Sequence, residues 1–116
     1  MSDWVEIGRL SDIPRRGARC VDTPIGRIAV FRTAADEVYA IEDRCPHKGG
    51  PLSQGIVHGA QVTCPLHNWV FSLETGLAQG ADEGAVRTFP LKRDGERILM
   101  DASAILAAAS ARIAAE

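Results

Sequence analysis

At 116 residues the chain has room for one domain with a modest core, and not for a catalytic domain beside a flavin or nicotinamide site, so any multi-step reduction needs a partner. The net charge of -2, with both signs dispersed along the chain, argues against nucleic acid and against an anionic membrane surface. No segment reaches membrane-spanning length and the start, Met1 to Glu6, has neither a cationic cluster nor an apolar run; a cytoplasmic protein is expected, where three cysteines do not suit a disulfide framework.

In chain order, short β-branched or aromatic runs at residues 4–7, 19–22, 27–31, 38–41, 56–57, 61–63 and 69–71 read as strands. Gly17, Pro24 to Gly26, Ala35 to Glu37, His58-Gly59 and Thr75-Gly76 supply the turns between them. Val86, Phe89, Leu91 and residues 97–100 add closing strands around an Asp94-Gly95 hairpin. The pattern predicts an all-β domain over residues 1–101, an antiparallel sandwich or small barrel. Residues 102–116 differ: Ala-rich and free of Gly and Pro, they predict a short C-terminal helix with Asp101 or Ser103 as N-cap. Ile105, Leu106 and Ile113 would give that tail an apolar stripe for its own sheet or for another subunit. Cys20 reads as a small buried core residue and His58 as a turn residue.

The chemistry concentrates in two pairs, Cys45-Pro46-His47 and Cys64-Pro65-Leu66-His67, with 16 residues between them. Zinc sites usually group Cys with Cys and His with His, whereas each half here is mixed. Mixed halves suit two irons bridged by sulfide, each loop giving its Cys to one iron and its His to the other. Pro46 and Pro65 bias the preceding cysteines to an extended backbone, and Gly49 and Gly50 allow the chain to bend closely beneath a cluster. Leu66 and Trp69 would shield it from water. Two ferric ions, two sulfides and two thiolates sum to zero charge, which eases entry of an electron relative to a four-thiolate cluster. Lys48 and Arg44 beside the first pair, and the acidic 81–84 segment, could steer a partner or simply be solvated.

The run from Cys45 to Leu52, followed by Cys64 to Trp69, resembles a Rieske [2Fe–2S] domain. That resemblance implies an inserted cluster-binding subdomain, one [2Fe–2S] cluster, and Cys45, His47, Cys64 and His67 as its ligands. Phe31-Arg32-Thr33, Gly55 to Gly59, and Asp82-Glu83-Gly84 leading to Val86 through Pro90 are similar to the small subunit of NAD(P)H-dependent assimilatory nitrite reductase. Ala85 departs from that subunit's pattern, which often has Cys there. The resemblance implies a partner, a large subunit carrying flavin, siroheme and an iron–sulfur centre that reduces nitrite to ammonia in nitrate assimilation. High-potential relatives carry an additional Cys in each loop plus a Ser and a Tyr that donate hydrogen bonds to the cluster. Gly50, Leu66, Trp69 and Phe71 stand at those positions here, which implies a potential near the bottom of the Rieske range of about -150 to +300 mV.

Two other functions fit the same ligand residues: a free Rieske ferredoxin supplying an aromatic-ring oxygenase, and a structural zinc module. Catalysis by the chain alone has no support, since it lacks a G-x-G-x-x-G fingerprint and a nucleophile paired with a base. A mononuclear iron of the two-His, one-carboxylate type could not be assembled either, because His58 is the one histidine left over.

Overall fold

The computed structural model describes residues 4–24, 26–44, 50–65, 68–79 and 84–105. The strands are β1 (Trp4–Arg9), β2 (Gly17–Thr23), β3 (Gly26–Arg32), β4 (Val38–Glu42), β5 (Ile56–His58), β6 (Gln61–Thr63), β7 (Val70–Ser72), β8 (Thr88–Phe89), β9 (Leu91–Asp94) and β10 (Arg97–Asp101). They form three antiparallel sheets, ordered β1-β10-β9, β2-β3-β4-β8 and β5-β6-β7. The expected all-β antiparallel architecture is therefore the one observed.

β3 explains how the layers stack. Its run Ile28-Ala-Val-Phe31 is apolar without alternation and buried throughout, which is what a strand covered on both faces requires. Ile28 and Val30 enter one apolar cluster with Ile13, Ala40, Phe89, Ile98 and Met100, against the β1-β10-β9 sheet. Ala29 and Phe31 point the other way and join Ile41, Val57, Val62 and Phe71, against the β5-β6-β7 sheet. Each large side chain fully withdrawn from water here contributes about 1.5–3 kcal/mol. The central sheet is thus a partition, with the small β5-β6-β7 sheet seated on one side of it.

Several boundaries differ from the sequence reading. Gly17 opens β2 instead of forming a turn, and β1 runs to Arg9 because a bulge between Glu6 and Gly8 resets its register against β10. Val86 belongs to no strand; its N–H donates to the Gly76 carbonyl at 2.8 Å, and β8 begins two residues later against β4. The 3-10 turns Leu10–Asp12 and Leu52–Gln54 have no hydrophobic period to announce them. At the C-terminus a helical turn covers 102–105, capped by Asp101, whose Oδ1 accepts the Ser103 N–H at 3.0 Å and its hydroxyl at 2.6 Å. Ile105 is buried in the cluster formed by its own sheets, while Leu106 and Ile113 lie outside the described residues.

Candidate metal centre

Both segments that carry the candidate ligands are connections flanking the strands of the β5-β6-β7 layer. The second is the tip of a hairpin. Thr63 faces Val70 across the β6–β7 ladder, and one step further the Cys64 N–H donates to the Trp69 carbonyl at 2.6 Å. The hairpin is thus closed as far as Cys64 and Trp69, and Asn68, just before Trp69, takes the left-handed backbone conformation (φ 59). Asn tolerates that region better than most residues with a Cβ, which accounts for its place after His67.

The first segment is a longer connection between Glu42 and Ile56. Cys45, Pro46, His47, Lys48 and Gly49 lie outside the described residues, as do Leu66 and His67 of the second. What is described on either side of the first pair is tightly held. Asp43 accepts the Ser53 N–H at 2.7 Å on Oδ1 and the Ser53 hydroxyl at 2.9 Å on Oδ2, and its own N–H donates to the Arg27 carbonyl at 3.0 Å. Leu52, in the 3-10 turn, is fully buried in the apolar cluster that also contains Cys64. Gly55 then lies so close to Thr63 that a Cβ on it would run into the Thr63 carbonyl oxygen. The roots of the two segments are thereby locked to each other.

Of the four residues read as ligands, Cys64 is described. It has no solvent exposure and sits among Leu52, Val62, Phe71 and Leu73, with Trp69 packed at the margin of the cluster. Trp69 is half-buried, its ring 6.3 Å from that of Phe71 and tilted by 36°. Gly50 is buried and Pro65 exposed. A thiolate in such apolar surroundings is costly unless a cation compensates it, so this cysteine suits a metal site far better than a nucleophile's. The chemistry of two thiols and two imidazoles, with the Cys64 sulfur buried at the end of a hairpin ladder, fits an iron–sulfur cluster.

Two side chains overlooked in the sequence are Asp43 and Ser53, which are ordinary loop residues by pattern; only their contact across ten positions reveals them. Cys20 departs from its expected place in the core. It is exposed on the edge strand β2, not buried, and its Sγ lies 3.3 Å from Asp43 Oδ2. Local burial of the sulfur and the neighbouring Asp43 carboxylate push the thiol above its ordinary pKa, which Ser53 and Arg27 oppose. His58 ends β5, leaving Gly59 (φ 57) to make the turn, and its Nε2 is 2.7 Å from the Thr63 hydroxyl. Residues 77–79 run beside β7, with the Gln79 N–H on the Val70 carbonyl at 2.8 Å, and the Ala78 N–H reaches the Gly84 carbonyl at 2.9 Å. The roots of the acidic segment thus stand next to the second hairpin.

The sequence matches the Rieske [2Fe-2S] domain over residues 3–90. This chain belongs to the Rieske family. Members carry a single [2Fe–2S] cluster, which sets aside the zinc alternative. The chain is similar to the ferredoxin component of the naphthalene 1,2-dioxygenase system of Pseudomonas aeruginosa, 30% identical over 101 residues, covering 86% of this chain and 96% of that one. A shorter match, 57% identical over 44 residues, is to a 4beta-methylsterol monooxygenase of Methylococcus capsulatus; it takes in 38% of this chain and spans 12% of that enzyme. Among solved structures, the ferredoxin of carbazole 1,9a-dioxygenase from Nocardioides aromaticivorans superposes with a TM-score of 0.76 at 28% identity, over 86% of this chain and 98% of that one. A protein described as a nitrite reductase NADPH small subunit superposes equally well, TM-score 0.76 at 27% identity, over 84% and 97%. The Rieske chain is an electron-transfer protein of the size of those ferredoxins.

Proposed function

We propose that Cys45, His47, Cys64 and His67 hold the cluster of this Rieske protein and that it serves as the electron-transfer small subunit of a cytoplasmic NAD(P)H-dependent nitrite reductase. The observation that carries the partner assignment is the flanking sequence, Gly55 to Gly59 and Asp82 through Pro90, supported by the superposition on a protein described as such a subunit. When bound, the cluster takes up and releases one electron at a time. The chain's part is to hold and insulate it. Cys64 and Leu52 anchor the two segments in one apolar cluster, Trp69 packs at its margin, and the β6–β7 ladder holds the start of the second segment. Phe71, buried in the core, and Trp69 offer no hydroxyl to the sulfurs, so the reduced state is less stabilised and the midpoint belongs near the lower end of about -150 to +300 mV. Reduction of nitrite itself takes place on a large subunit carrying flavin, siroheme and an iron–sulfur centre.

The test is isolation of the native assembly. Co-purification with a siroheme protein, and NAD(P)H oxidation that depends on nitrite and on this chain, is the expected result. The second reading, a ferredoxin feeding an aromatic-ring dioxygenase, draws support from the near full-length similarity to the naphthalene and carbazole dioxygenase ferredoxins. Ring hydroxylation reconstituted with an oxygenase, and no siroheme partner, would replace the first reading with the second.

A further inference from the structure

The two ligand segments are closed by different devices. The Cys64 segment is closed by backbone: a ladder pair, a Cys64 N–H to Trp69 carbonyl bond at 2.6 Å and a left-handed Asn68. For the Cys45 segment, the described contact between its two ends is a side chain. Asp43, directly after β4, receives the Ser53 N–H at 2.7 Å and the Ser53 hydroxyl at 2.9 Å, one on each carboxylate oxygen, and Cys20 Sγ makes a third, longer contact at 3.3 Å. The clamp is tied to the central sheet at both ends, through the Asp43 N–H on the Arg27 carbonyl and through Leu52, buried in one cluster with Ala29, Phe31 and Ile41.

We propose that Asp43 is a positioning residue for the cluster: its carboxylate, by gripping Ser53, sets the distance between the ends of the first ligand segment and so governs how firmly Cys45 and His47 retain iron. The proposal rests on the ligand reading given above. Hydrogen bonds to an ionised carboxylate are shorter and stronger than neutral ones, and two of them here join positions ten residues apart, so the entropy of closing that loop is met by the clamp and not by the metal. Partners that orient metal ligands typically change affinity by about 10–100-fold when removed.

A matched control exists within the fold. Asp101 caps the C-terminal helical turn with the same chemistry, an Asp carboxylate on the N–H and hydroxyl of a Ser, but it does so between Met100 and Ile105 of the other apolar cluster. Holo forms of the wild type, Asp43→Ala, Asp43→Asn, Ser53→Ala and Asp101→Ala are challenged with excess chelator, and loss of the visible absorption is followed together with the EPR g-values of the reduced protein; Cys45→Ala is put through the same reconstitution and its spectrum recorded. Asp43→Ala should release iron about 10–100-fold faster, with shifted g-values. Ser53→Ala, which keeps the Ser53 N–H contact, should fall between it and wild type. Asp43→Asn, which keeps an acceptor for that N–H, should restore most of the retention, and Asp101→Ala should release iron at the wild-type rate. Wild-type release from Asp43→Ala overturns the proposal, as does an equal acceleration in Asp101→Ala at equal loss of thermal stability. Should Asp43→Ala fail to assemble a cluster at all, Ser53→Ala decides: wild-type retention there overturns the clamp. Cys45→Ala separates this failure from the other one, because a normal Rieske spectrum in that variant removes the ligand reading itself.

Discussion

Replacing Cys64 by Ala distinguishes its two roles, packing and ligation, because their magnitudes differ. The side chain is fully buried, so the packing loss is that of one sulfur in an apolar cluster. Taking the sulfur as about one methylene gives ~0.8 kcal/mol, and a residual void of roughly 25 Å³ at about 24 cal/mol per Å³ adds ~0.6 kcal/mol. The apo variant should therefore be only about 1–1.5 kcal/mol less stable than apo wild type, a modest shift of the denaturant midpoint with an unchanged slope. Assembly should fail outright, with no rhombic Rieske signal on reduction and little acid-labile sulfide. Leu52→Ala reverses the pattern: it keeps every proposed ligand, yet removes a fully buried Leu and should cost about 2–5 kcal/mol while the cluster still forms. Denaturation of the apo proteins and EPR of the reconstituted ones are the assays. A Cys64→Ala protein with a normal Rieske spectrum would refute the ligand assignment; an apo loss above about 4 kcal/mol would show that the packing argument is wrong.

Other substitutions and titrations probe the frame around the site. Gly55→Ala forces a Cβ into the Thr63 carbonyl and should separate the roots of the two ligand segments, lowering both thermal stability and iron content, whereas an iron-replete variant of wild-type melting temperature would contradict the contact. At Asn68, with φ 59, Gly should be tolerated and Val should cost about 1–2 kcal/mol or more by denaturation, since a β-branched residue is poorly accommodated in left-handed backbone; equal stability of the two would refute the hairpin geometry. Tyr39, the chain's one tyrosine, is pushed up to about 12 by burial and by Glu37 and Glu74, each 3.3 Å from its hydroxyl. Because the folded pKa lies above the unfolded one, its contribution to stability is full below about pH 10 and is lost as pH rises toward about 12. Tyrosinate absorbance should show that midpoint, and a transition near pH 10 in folded protein would count against the Glu37–Tyr39–Glu74 arrangement.

How much the sequence disclosed follows from the range of the interactions involved. Strand existence was legible because burial on one or both faces writes itself into local periodicity: β3 reads as an uninterrupted apolar run because it is covered twice, and β10 reads the same way. The proposed ligands were equally easy to single out, since Cys45-Pro46-His47 and Cys64-Pro65-Leu66-His67 stand as two short motifs. What local pattern could not carry were contacts between positions far apart. Cys20 looked like core filling because β2 carries Val21 beside it, but β2 is an edge strand, and which strand lies at an edge is decided by pairing rather than by composition. Asp43 and Ser53 are commonplace loop residues whose meaning comes from meeting each other across ten positions. The same asymmetry runs through the site: the Cys64 half rests on a ladder that any hairpin signal predicts, whereas the Cys45 half depends on a carboxylate that no motif marks. The half of the site hardest to read in the sequence is therefore the one whose integrity depends most on a single side chain, and it is there that substitutions outside the ligand set should do the most damage.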